Sequence, residues 1–154
     1  MTNRWLRIGV LAGALFAINL VARGVANFAF EDDTDMQDRT SLVFFAVVAL
    51  VLAVVAFRWG RGRPVGVLLA DMAAAALVAC LATVLIGPAV FGANPVGGGA
   101  GEFFAQIWLY AAFSVGGFLL GYLLLVVLGR DYRSRQLTAY EKAKLSKPRR
   151  VVRR

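Results

Sequence analysis

Between Val65 and Phe91 the chain reads VGVLLADMAAAALVACLATVLIGPAVF, with Asp71 as its only charged side chain. A helix that crosses the hydrocarbon core of a bilayer needs about 20 apolar residues, and this stretch supplies them even when counted from Met72. Three further apolar runs lie at about Leu6 to Phe30, Leu42 to Phe57 and Phe103 to Leu128, the second of them near the lower limit for a span. Hydrophobic residues make up 60% of the 154-residue chain, against about 45–50% in a soluble domain. Lipid cannot bond to backbone N–H and C=O groups, and the alternation of a barrel strand is absent, so each run has to be helical. The expected fold is an all-α integral membrane protein, with four transmembrane helices in residues 1–129 and a basic extension over 130–154.

Charge orients those helices. Of 17 Lys and Arg residues, 15 fall in three places: Arg4 and Arg7; Arg58, Arg61 and Arg63; and the segment from Arg130 to Arg154. Between them lie Glu31 to Thr40 and Gly92 to Glu102, which together hold six acids and one Arg. This is the positive-inside pattern repeated at every loop. It predicts both termini and the Arg61 loop on the cytoplasmic side of a bacterial inner membrane, with the acidic and glycine-rich loops outside. Trp5 and Trp59 at the inner ends, and Trp108 near an outer end, fit interfacial anchors. Arg4, Arg7, the core from Ile8 to Val21 and Gly24-Val25-Ala26 could instead form a cleaved signal peptide. The apolar character running on to Phe30 favours an uncleaved anchor.

The net charge of +8 and pI of about 10.6 thus point to lipid rather than nucleic acid. Arg130, Arg133, Arg135, Lys142, Lys144, Lys147, Arg149, Arg150, Arg153 and Arg154 are expected to meet anionic headgroups, at about 1 kcal/mol per basic residue near the surface. An acidic protein partner is the second reading of that tail. The chain has no His and a single Cys, Cys80, which excludes a disulfide framework and removes the commonest zinc and haem ligand. No cofactor is expected. The acidic loop from Glu31 to Asp38 lacks the glycine and terminal Glu of a calcium loop. Gly97-Gly98-Gly99 has no following Lys for a phosphate cradle. Both read as solvated connections.

Helix packing in lipid relies on small residues that let backbones approach. Asp71, Ala75, Ala79 and Ala82 share one face of the third run, while Tyr110, Ser114, Gly117 and Gly121 share one face of the fourth. These two faces are expected to pack together. Gly13 and Ala17 offer a similar pair on the first run, whose expected role is packing within the chain, or else contact with a further subunit. The second run has no polar side chain and is expected to present the largest lipid-facing surface. The stretches GVLAGALFAINLVA from Gly9 and GVLLADMAAAALVA from Gly66 agree at seven of fourteen positions, a similarity that an apolar background explains better than duplication.

An acid within a span is costly and marks an ion or proton path by default. Asp71 lies about 9 Å from Val65 along a helix. At the inner surface it would be an anchor paired with Arg58, Arg61 or Arg63; deeper, burial would favour its protonated form. Arg23 sits near the outer end of the first run and is expected to snorkel toward headgroups or Glu31, Asp32 and Asp33. Asn19, Asn27, Thr83 and Gln106 read as interhelical hydrogen-bonding groups.

An enzyme is disfavoured, since no nucleophile and base can be assembled without His, paired acids or a usable Cys. By size and span count the chain resembles small multidrug-resistance transporters and the related four-helix drug and metabolite exporters. That resemblance implies proton-coupled transport. Those exporters carry an acid in the first span, whereas here none precedes Glu31, so the role would pass to Asp71. Their antiparallel dimers also go with weak charge bias, and the bias here is strong. The favoured expectation is a non-enzymatic accessory, scaffold or assembly subunit whose partners are the bilayer, other membrane subunits or a second copy.

Overall fold

Each apolar run becomes a helix that bonds its own backbone, as lipid requires. The computed structural model describes residues 2–29, 34–92, 94, 97 and 99–145. In chain order these form α1 (Thr2–Ala29), α2 (Thr34–Gly60), α3 (Val65–Leu81), a π-helical turn (Ala82–Ile86), α4 (Gly87–Val90), α5 (Gly99–Val127) and α6 (Tyr132–Leu145), with no strand among the described residues. Four stretches, α1, α2, Val65–Val90 and α5, are long and apolar enough to cross a membrane. The chain is a multi-pass membrane protein. At 1.5 Å per residue α1, α2 and α5 are each about 40 Å long, so their ends reach past a hydrocarbon core of about 30 Å.

The spans run up and down. Arg4, Arg58, Arg61, Arg63 and α6 gather at one end of the bundle, the basic end; the end of α1, the start of α2, α4 and the start of α5 lie at the opposite end. Leu15, Val48, Leu52, Ala56, Leu68, Ala75, Ala79 and Tyr110 are buried, while Val10, Leu50, Leu77 and Leu120 point outward. In lipid an outward Leu costs nothing, so close packing and polar contacts decide which face turns in.

The closest helix pair differs from the expected one. Gly117 and Gly121 of α5 lie against α2, not α3: a Cβ at Gly117 would stand 2.7 Å from the Ala49 Cα, and one at Gly121 2.7 Å from the Ala53 Cα. Above this seam Phe45 stacks on Phe113 with centroids 5.7 Å apart and meets Tyr110 edge-on at 6.3 Å. α2 still has the smallest buried share of the four spans, as its sequence suggests, yet it is the main support of α5. Ala46, Ala49, Ala53 and Ala56, at spacings of three, four and three, make this possible. The face of α3 that carries Asp71, Ala75 and Ala79 is buried chiefly beside α1, and Ala82 is half-buried. Gly13 and Ala17 are exposed, and a Cβ at Gly13 would meet nothing within 4 Å. Among the described residues neither is buried against another helix.

Two backbone breaks shape the ends. Pro88 has no N–H to offer Val84, and its ring crowds that carbonyl; the helix loosens ahead of it, and the Gly87 N–H reaches back to the Ala82 carbonyl. At the basic end Gly129 adopts φ +61°. Its N–H bonds the Val126 carbonyl at 2.9 Å and that of Arg130 bonds Leu125 at 3.1 Å, a Schellman ending that stops α5. Asp131 then starts α6, accepting the Arg133 and Ser134 N–H groups on one carboxylate oxygen at 3.2 and 3.3 Å. The tail is thus a separate helix and not a continuation of the fourth span.

Candidate functional site

Two polar clusters interrupt the apolar bundle, one at each end. At the basic end the Asp71 carboxylate is fully buried. Its Oδ1 accepts Arg4 Nε at 2.7 Å, with Arg4 Nη2 at 2.6 Å, and its Oδ2 accepts Arg63 Nη1 at 2.7 Å. The Arg63 guanidinium also lies over the Trp59 ring, 5.0 Å from its centroid. Of the three arginines expected to pair with Asp71, Arg63 does so. Arg61 instead covers Phe57 at 4.5 Å, and its carbonyl accepts Arg135 Nη1 at 3.2 Å, which ties α6 to the α2–α3 loop. Arg4 is the partner that sequence reasoning missed. The carboxylate therefore joins α1, α3 and the loop after α2 in one network. Charge-assisted hydrogen bonds from a guanidinium on each oxygen are about twice as strong as neutral ones. Burial raises the stakes, because removing one partner of a buried pair costs about 3–5 kcal/mol.

At the opposite end the polar groups converge without satisfying each other. A cavity of about 330 Å³ is lined by all four spans: Asn19 and Arg23 from α1, Ser41 from α2, Thr83 from the π turn, and Gln106 and Tyr110 from α5. Asn19 lies about 15 Å along α1 from its end at Ala29, which gives the depth of the cavity. Phe44, Phe91 and Leu109 supply apolar wall. Arg23 does not run straight out to headgroups. Its Nη2 donates to Gln106 Oε1 at 3.1 Å, and its stem crosses Gly87, where a Cβ would stand 3.1 Å from Nε and 3.4 Å from Cδ. A glycine there lets the arginine lie across the third span. Glu31, Asp32 and Asp33 fall outside the described residues. Asn19 donates to the Leu15 carbonyl of its own helix at 3.1 Å, and Ser41 to that of Gln37 at 3.0 Å.

Two hydroxyls on this cavity have no hydrogen-bond partner among the described residues. Tyr110 is 2% exposed and Thr83 6% exposed, and neither oxygen is matched. Leaving a buried polar group unmatched costs about 1–3 kcal/mol. The π turn contributes directly, since it changes the direction in which Thr83 is presented, and such turns recur at functional sites. No individual residue signals this cavity in the sequence; each group reads as a packing residue until four helices bring them to one depth.

Among the described residues no three of His, Cys, Asp or Glu come together as a metal-binding group. In the tail Arg130, Arg133, Arg135, Lys142 and Lys144 are exposed, free of any apolar face that would bury them. Lys147, Arg149, Arg150, Arg153 and Arg154 lie outside the described residues. Comparison with family models, with characterised proteins and with solved structures finds no match to this chain.

Proposed function

We infer that this protein is a non-enzymatic accessory, scaffold or assembly subunit of a larger membrane complex, resident in a bacterial cytoplasmic membrane with both termini inside. The observation that carries this reading is the Asp71 network: the one carboxylate within the four apolar runs has both oxygens engaged by Arg4 and Arg63. A carboxylate held in this way joins helices. The basic tail helix would lie on anionic headgroups, and the strong charge asymmetry of the loops supports a single orientation. Reporter fusions at residues 35, 61, 97 and 154 should then read out, in, out and in.

The opposite-end cavity favours a second reading, a small proton-coupled exporter of the four-helix type. That reading requires the Asp71 carboxylate to exchange its contacts with Arg4 and Arg63 for a proton during transport. Purification in mild detergent separates the two. Stable co-purification with a larger assembly supports the subunit, whereas a clean homodimer, with proton-coupled flux in vesicles that Asp71→Asn abolishes, would replace it with the exporter.

A further inference from the structure

The cavity at the opposite end has the chemistry of a binding site for an amphiphilic anion, independently of the accessory reading. Its one cation is Arg23, whose described partner, Gln106, is neutral. No carboxylate stands among its described lining residues. A guanidinium inside a span is costly unless an anion or a polar path meets it. The Tyr110 and Thr83 hydroxyls, both over nine-tenths buried and unmatched, line the same cavity. Each can donate one O–H. The remaining wall, with Phe44, Phe91 and Leu109, is apolar. A few convergent polar groups in an apolar, concave setting are the usual form of a small-molecule site.

We propose that this cavity binds a molecule with one carboxylate or phosphate group and a hydrocarbon body, the anion on Arg23, Tyr110 and Thr83 and the body against the aromatic wall. Such a group could be that of a free organic acid or of a phospholipid in the leaflet at that end. Purified full-length protein in a mild neutral detergent would be titrated with sodium decanoate and, separately, with a short-chain phosphatidylglycerol, with binding followed by native mass spectrometry. Decanoate bound by the wild type and at least tenfold more weakly by Arg23→Gln supports the site and a free acid. Phosphatidylglycerol with the same dependence supports the site and a lipid. The double variant Arg133→Gln/Arg135→Gln, on the tail helix read as meeting anionic headgroups, should leave unchanged the decanoate binding and the part of the phosphatidylglycerol binding that Arg23→Gln removes; a loss of that part there in place of Arg23→Gln would put the binding on the tail and overturn the proposal. Tyr110→Phe and Thr83→Val, which preserve side-chain size, should each weaken the bound probe about threefold or more, and they carry the test if Arg23→Gln does not fold. Failure of both probes to bind, or binding that none of the three cavity variants changes, also overturns it.

Discussion

At the basic end of the bundle Asp71 is fully buried and each of its oxygens accepts a guanidinium N–H at 2.7 Å; at the opposite end Tyr110 and Thr83 are nearly as buried and their hydroxyls have no hydrogen-bond partner among the described residues. Both clusters are set among the same apolar helices, and both draw on α1 and the third span. What separates them is satisfaction. A closed polar network in a low-dielectric setting fixes the helices that supply it, while an open one carries a standing cost that a ligand can remove. The Asp71 network therefore joins helices at the basic end, while the unmatched Tyr110 and Thr83 hydroxyls line the cavity at the opposite end.

The largest effect should come from removing the carboxylate. Asp71→Ala strands Arg4 and Arg63 and leaves a gap beside α1, and a loss on the order of 3 kcal/mol is expected, toward the lower end for a buried pair because the half-exposed Arg4 can return to solvent. Thermal unfolding in detergent measures it. Asp71→Asn should lose less, since an amide keeps the volume and one acceptor. A midpoint unchanged in Asp71→Ala would mean the network is no joint at all, and the contrast between the ends would collapse.

Next in size are its two partners, and here burial sets the order. The Arg63 side chain is 21% exposed and that of Arg4 53%, so water can replace Arg4 more readily. Arg63→Gln should destabilise more than Arg4→Gln, by about 1–2 kcal/mol between them, given that exposed pairs contribute about 0–1 kcal/mol and buried ones several. Equal effects would show that Asp71 is held as much from the α1 side as from the loop.

The opposite end should respond weakly in the absence of ligand. Tyr110→Phe and Thr83→Val delete hydroxyls that make no hydrogen bond among the described residues, so each should shift stability by less than about 1 kcal/mol, and toward greater stability where it shifts, since an unmatched buried donor is removed. A fall of several degrees in the unfolding midpoint would reveal a bond at that hydroxyl and make the two ends alike.

How much of this is legible in the sequence follows from what each kind of signal encodes. Run length and loop charge encode spans directly, and four spans are what the structure has. A small residue encodes close approach but not the identity of the neighbour. Gly117 and Gly121 were expected against the Ala75–Ala79 face and meet Ala49 and Ala53 instead, although the alanine spacing on α2 was present to be read. Gly13 and Ala17 carry the same signal and face outward. Asp71 stands out because an acid in a span is expensive, and Arg63 is near enough in sequence to be a candidate. Arg4, 67 residues away, becomes one only when α1 is known to lie beside α3. The tail break is written in Gly129 and Asp131, a left-handed stop followed by a cap, but the apolar run before it dominates the reading.

The smallest effect concerns the second buried carboxylate of the basic end, Asp131, which is held by hydrogen bonds where Asp71 is held by guanidinium groups. A hydrogen bond from the Ser134 side chain, with help from the backbone N–H groups of Ser134 and Arg133, keeps the Asp131 carboxyl below the usual carboxylate range, against an opposing push from its desolvation. All of these bonds favour the ionised form. Because the folded-state value is lowered, the cap is at full strength at pH values above the ordinary Asp range of about 4 and is lost as pH falls through the lower folded value. Amide exchange at Arg133, Ser134 and Arg135 should accordingly stay protected at neutral pH, beyond what the intrinsic rate explains, and lose that protection on acidification below about pH 4. Asp131→Asn can still accept the same N–H bonds, so it should keep the protection at neutral pH and lose its acid dependence. Asp131→Ala should lose it at every pH. If Asp131→Asn retained the acid transition, a group other than Asp131 would be the one that titrates, and the cap would not be the source of the pH dependence.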